Sequence, residues 1–194
     1  LIILKANSYN GLITGGERGE ILSRILLLFI TKVCSPPKYP FACLFEDFAG
    51  MINSEFQKFV KGKSLSDYVL HNLQYSRLSG DPSFIYLILA SFEGTGLVMK
   101  PHNEGFDLIQ ILWRKDFIMD LDLRKIEADG FEEEDFLRLT DNLLFVFIQV
   151  KNNKSGVNYG KLRTRNKFDK SDSIIHTKLF INKLMSNVKI KNSN

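Results

Sequence analysis

The 194-residue chain predicts an α/β domain: a mixed sheet of at least three central strands flanked by helices. Three observations lead there. Residues 105–113 and 143–151 are short runs rich in Ile, Leu, Val and Phe, of the length and composition of strands shielded on both faces. Residues 17–33 place Ile21, Leu22, Ile25, Leu26, Leu28 and Phe29 around so much of a helical circumference that a largely buried helix is expected. A hydrophobic content of 44% is sufficient for a sizeable core in one domain.

Taken in order, residues 1–16 hold the turn signal Asn7, Ser8, Asn10, Gly11 and the pair Gly15 and Gly16, and read as an irregular lead-in. The helix over 17–33 follows, with Glu20 in its first turn, where a carboxylate suits the helix dipole whatever else it does. Pro36, Pro37 and Pro40 stop that helix. Residues 41–62 and 64–79 have mixed helical spacing, with Phe45, Phe48, Met51, Ile52, Phe56 and Phe59 as a core-directed stripe and His71 as a structural or exposed histidine. The apolar run 84–90 fits helix or strand, and periodicity does not decide between them.

Residues 97–100 are expected as the first strand of the central set, followed by a turn over 101–104. The acid-rich connection 114–142 reads as an insertion with a solvated face and a helix near 132–139. Its acids lack the alternation of a calcium-binding EF-hand loop. Beyond residue 151 come a polar loop over 152–160, an amphipathic helix over 174–188 and a disordered tail over 189–194. The domain therefore spans 17–188.

Composition narrows the function classes. There is no phosphate-cradling glycine loop, no nucleophile elbow and no dinucleotide fingerprint. Cys34 and Cys43 have no further ligand at zinc spacing and read as reduced, intracellular thiols, with a small disulfide loop as the alternative in an oxidising compartment. No apolar run approaches eighteen residues, so no membrane span is expected. Beginning with Leu, the chain reads as a fragment or trimmed product. The net charge of +4 hides an asymmetry: residues 151–194 hold eleven Lys or Arg against two Asp. Such a segment attracts a phosphate backbone in a salt-sensitive, sequence-independent way, and equally suits a solvated terminus.

The polar residues at the ends of the two apolar runs carry the chemistry. Gln149 and Lys151, two apart on a strand, share a face, while Val150 points away. If the strand headed by Asp107 is a neighbour, a carboxylate joins an amide and an ammonium at one sheet end. That set suits metal-assisted phosphodiester cleavage. Each residue also has a plainer reading: Asp107 as a turn-adjacent acid, Gln149 and Lys151 as a strand emerging into solvent, and Glu20 as the partner of Arg24 one turn on.

On Asp107, the triplet Gln149, Val150 and Lys151, and Glu20 on the helix, the chain resembles the restriction-endonuclease-like, or PD-(D/E)xK, nuclease superfamily. It also resembles fungal proteins with blocks like Arg18 to Glu20, Asn103 to Leu108 and Phe147 to Asn152. The family pattern puts an Asp at the start of one strand, an acid-x-Lys at the end of the next, and often a Glu on the preceding helix. Gln149 departs from the commoner carboxylate and leaves the site one negative charge short. The resemblance implies a restriction-endonuclease-like sheet and a Mg²⁺- or Mn²⁺-dependent nuclease acting on nucleic acid, with DNA the expected partner and the cell interior, including the nucleus, the expected location. It implies metal ligation by Asp107, Gln149, the Val150 carbonyl and Glu20, and water activation by Lys151. A catalytically inactive, effector-like module of the same fold, binding nucleic acid or protein, is the alternative that Gln149 favours.

Overall fold

A computed structural model describes residues 15–99, 105–150 and 170–191. It is a mixed α/β architecture, a six-stranded sheet with both parallel and antiparallel pairs, flanked by helices. In chain order the elements are α1 (Gly15–Cys34), β1 (Ala42–Leu44), α2 (Phe45–Ile52), α3 (Ser54–Gly62), β2 (Tyr68–His71), β3 (Gln74–Arg77) and α4 (Phe84–Phe92). There follow β4 (Thr95–Val98), β5 (Leu108–Arg114), α5 (Leu123–Asp129), α6 (Glu133–Asp141), β6 (Leu143–Ile148) and α7 (Lys170–Ser186).

β5 is the spine. β6 pairs antiparallel with it from Leu108 opposite Ile148 to Trp113 opposite Leu143, filling one edge. A strand has two edges, so β2 and β4 must share the other. β4 takes the entry end, with Leu97 opposite Ile109, and β2 takes the exit end, with Val69 opposite Trp113. β1 extends the sheet beyond β2, and β3 runs parallel to β4. Six of the seven β5 residues are buried, as the apolar run requires. β6, expected to be shielded on both faces, is instead half-buried along most of its length, because among the described residues it pairs with β5 alone.

The two faces pack separately. Leu112, Leu144 and Val146 meet α1, α2 and α3 through Ile30, Phe45, Phe48 and Val60. On the opposite face Leu97, Ile109, Ile111, Trp113, Phe145 and Phe147 meet α4 to α7 through Leu87, Ile126, Leu139 and Leu184. In the first cluster Cys34 and Cys43 are neighbouring free thiols, and burial, ahead of neighbouring charge, pushes Cys43 up to about 12.

Several expectations need correction. α1 begins at Gly15, so Gly15 and Gly16 are helical and Glu20 lies in the second turn. The helix is also not largely buried: Leu22, Ile25, Leu26, Phe29 and Val33 face solvent, because only its Leu27, Ile30, Thr31 and Cys34 side reaches the sheet layer. The stripe over 41–62 is divided in the same way, with Phe45 and Phe48 buried while Met51, Ile52 and Phe59 are exposed. The segment 64–79, read as helical, forms β2 and β3, since Tyr68 and Val69 pair with the open edge of β5 and Gln74 to Arg77 pair with β4. Residues 84–90 are helical, started by Ser83, whose hydroxyl oxygen accepts from the Tyr86 N–H at 3.1 Å.

The 114–142 connection holds two helices rather than one. Asp122 caps α5 by accepting from the Arg124 and Lys125 N–H groups. The tail is ordered to Lys191: the Phe131 N–H donates to the Lys189 carbonyl, the Lys191 N–H donates to the Phe131 carbonyl, and Lys191 Nζ lies 2.7 Å from Glu132. The lead-in over 1–14, the turn 101–104 and the loop 152–160 lie outside the described residues. Among those residues, no helix is long and apolar enough to cross a membrane.

The asymmetry of burial gives a stability test. Leu112→Ala, at a side chain 1% exposed on the spine, should cost about 2–5 kcal/mol. Phe29→Ser, at 62% exposure, should stay within ~0.5 kcal/mol. Urea unfolding midpoints compare the two.

Candidate functional site

The strand register assembles one end of the sheet from distant parts of the chain. Arg77 on β3 lies opposite Val98 on β4, Val98 opposite Leu108 on β5, and Leu108 opposite Ile148 on β6. Asp107 precedes that row on β5 and Gln149 follows it on β6, so the two share a sheet end, which is the condition the sequence reading set for joining them. Glu20 comes to the same end from α1, where its Oε2 lies 3.3 Å from Arg77 Nη2. At ~4.8 Å between neighbouring strands, Arg77 stands roughly 10 Å across the sheet from the β5 entry.

The entry itself is irregular. Gly105 has φ +98°, a left-handed backbone conformation that suits glycine. Phe106 and Ile109, three apart, both pack into the same core, with Phe106 against Phe147 and Phe180 at 4.8 and 5.3 Å. Strand alternation therefore breaks at 107 and 108. Asp107 is displaced from the ladder but remains anchored: its N–H donates to the Ile148 carbonyl at 2.9 Å and its carbonyl accepts from the Met99 N–H at 2.9 Å. Its carboxylate Oδ2 accepts from the Val150 N–H at 2.5 Å, replacing the carbonyl a regular ladder would offer. This half-buried carboxylate thus continues the β5–β6 pairing by one side-chain bond.

Gln149 is exposed beside it, and Val150 is half-buried. Lys151, with His102 and Glu104, lies outside the described residues. Glu20 does not pair through its carboxylate with Arg24; Arg24 Nε donates instead to the Glu20 main-chain carbonyl at 3.3 Å. Among the described residues, no three His, Cys, Asp or Glu side chains converge to hold a metal ion. The donors present therefore do not form a multi-carboxylate cage. They do fit a hydrated Mg²⁺, which keeps several waters and needs only one or two carboxylates.

Two rows inward lies a polar set that sequence reasoning missed. Gln110, 4% exposed within the apolar spine, donates through Nε2 to Tyr75 Oη at 2.7 Å, and Asn72 Nδ2 donates to the same oxygen at 3.2 Å. Gly96 lies between them. A Cβ there would sit 2.4 Å from Gln110 Nε2 and 2.5 Å from Tyr75 Cε1, so only glycine lets the two side chains meet across β4. The available signal was the lone amide in residues 108–113. Its partner, 35 residues away, was not legible. Burial pushes the Tyr75 phenol up to about 12, against the opposing hydrogen bonds from Asn72 and Gln110 and the charge of Arg24.

No family model, curated protein or solved structure matches the chain.

Two predictions follow from the Tyr75–Gln110 contact. Gly96→Ala should destabilise the protein by about 1–3 kcal/mol by wedging the pair apart, and Tyr75→Phe by a similar amount through orphaned amides; thermal unfolding reads both. The second concerns pH. The folded phenol loses its proton near 12 whereas an unfolded tyrosine does so near ~10. The neutral form is thus favoured by folding, and its stabilisation is full below pH ~10 and lost as pH rises towards 12. Ultraviolet titration should show one of the six tyrosines ionising after the others, and Tyr75→Phe should remove that late step.

Proposed function

We propose that the sheet end bearing Asp107 is the active end of a metal-dependent nuclease that hydrolyses nucleic-acid phosphodiester bonds. The observation that carries this reading is the meeting of Asp107 with Gln149 and Val150 across the antiparallel β5–β6 pair, with Glu20 brought to the same end by Arg77. The arrangement agrees with the order of parts in the PD-(D/E)xK resemblance. The eleven basic residues from 151 onward add an attraction for the phosphate backbone of DNA.

In this reading Asp107 and the Gln149 amide oxygen, with the Val150 carbonyl, hold Mg²⁺ or Mn²⁺. The ion supplies Lewis-acid polarisation of the phosphate when bound. Asp107 is held in place by its bond to the Val150 N–H, so its free carboxylate lone pairs are already oriented. Lys151 directs the attacking water or offsets charge developing on the phosphate oxygens. Glu20 acts from the Arg77 side, orienting water rather than anchoring the cation, because its charge is already engaged.

A second reading, a catalytically inactive module that binds nucleic acid, is favoured by the neutral Gln149 and by the Glu20–Arg77 pair, which together leave Asp107 as the one uncompensated carboxylate among these residues.

The purified 194-residue chain, assayed on plasmid and single-stranded substrates, should cleave with Mg²⁺ or Mn²⁺ and not with EDTA. Asp107→Asn keeps an oxygen for the Val150 N–H while removing the charge, so its loss of activity is not a folding effect. It and Lys151→Ala should each lower the rate about 100-fold or more. Salt-sensitive binding without cleavage by the folded protein would replace this reading with the second.

A further inference from the structure

At the exit end of β5 the sheet face carrying Trp113 opens into a cleft of about 430 Å³. β5 is seven residues long, so at ~3.3 Å per residue this cleft lies roughly 20 Å from Asp107. It therefore owes nothing to the site above.

Its floor is aromatic and fixed. Trp113, 8% exposed, donates through Nε1 to Ser91 Oγ at 3.0 Å, and the Ser91 hydroxyl donates on to the Ile88 carbonyl at 2.7 Å. The indole stacks on Phe117 with centroids 5.2 Å apart and planes at 13°, and leans on Phe92 at 4.1 Å and 43°. Above this floor Phe92 is 37% exposed and Tyr39 57% exposed, so ring surface reaches solvent at the mouth. The rim is cationic. Lys38 Nζ sits 5.1 Å over the Tyr39 ring and Arg114 is exposed; Lys115 is bound to Asp67 at 2.6 Å, and Arg114 acts on the same carboxylate through its charge alone.

Each ligand class can be weighed against these features. A purely apolar ligand would gain nothing from Arg114 and Lys38, and a bare anion would gain nothing from the rings. A planar ring that carries a phosphate uses both, through stacking and charge-assisted hydrogen bonding. The volume lies within the ~300–1,000 Å³ of small-ligand sites.

We propose that this cleft binds a nucleotide unit, its base on the Tyr39 and Phe92 ring surface above Trp113 and its phosphate at Arg114 and Lys38. A free mononucleotide and the end of a single strand present the same chemistry.

Trp113 is the one tryptophan of the chain, so its fluorescence reports on this cleft. The full chain is titrated with AMP, adenosine, inorganic phosphate and a 5′-phosphorylated single-stranded oligonucleotide. Tyr39→Ala and Arg114→Ala, both at exposed side chains, are titrated beside it, with circular dichroism as the folding control. A saturable emission change with AMP or the oligonucleotide is expected, weakened roughly 5- to 100-fold in each variant and with adenosine. Tighter binding of the oligonucleotide assigns the site to a strand end, and equal or tighter binding of AMP assigns it to a free nucleotide. No saturable change at millimolar ligand, inorganic phosphate binding as tightly as AMP, or unchanged affinity in both folded variants would overturn the proposal.

Discussion

The structure depends on one strand that is buried on both faces and hydrogen-bonded on both edges. β5 has no exposed side until Arg114, so every neighbour must bring a complementary surface to it: β6 along one edge, β4 and β2 end to end along the other, and a separate helical layer on each face. A buried main-chain group without a partner costs about 1–3 kcal/mol, which is why short segments such as β2 and β4 are held there although neither exceeds four residues. The lone polar side chain in the spine follows the same rule. Gln110 is tolerated because Tyr75 supplies an oxygen and Gly96 supplies the space, so three residues on three strands form one solution to a single buried amide.

The same register that satisfies the spine also fixes what stands at its ends. Asp107 is the residue at which regular pairing fails, since the Phe106 ring enters the core one residue out of step with strict alternation. Its carboxylate then finishes the ladder by accepting from Val150. A group that would serve chemistry is thus also a structural cap, and its removal mixes two effects unless an isosteric acceptor is left behind. At the other end, Trp113 is held by Ser91, Phe92 and Phe117 from the opposite face, so a fixed aromatic floor lies where the strand leaves the core.

What could be seen in the sequence follows from the range of the interactions responsible. The β5 and β6 runs, α1, α6 and α7 declare themselves through composition and spacing within a few residues. β2 and β3 do not, because four-residue segments with polar members such as Gln74 and Arg77 are strands only by virtue of the edges waiting for them. The exposed stripe of α1 was read as buried because an apolar helix does not say which side its neighbours will cover. At the candidate site, the strand mouths pointed to Asp107, Gln149 and Lys151, while the bond from the Val150 N–H to Asp107 depends on the irregular strand entry and had no local signal. Arg77, which holds Glu20 at that end, is 57 residues from it and carries no local signal.

The Glu20–Arg77 pair is the feature on which the two functional readings differ, and its energetics are informative. With Arg77 Nη2 at 3.3 Å and side-chain exposures of 41% and 19%, it is a partly solvated single contact, of a kind worth about 0–1 kcal/mol. An interaction of that size pairs the two charges at rest and helps hold α1 against β3, yet is weak enough to be exchanged. In the nuclease reading, a phosphate oxygen beside Arg77 would make a charge-assisted bond of comparable or greater strength and would exchange with Glu20 at little cost. Glu20 lies one helix turn from Arg24, and Arg77 begins the row that ends at Ile148, next to Gln149. The pair therefore sets the resting charge of the sheet end without fixing the charge that a bound phosphodiester would meet.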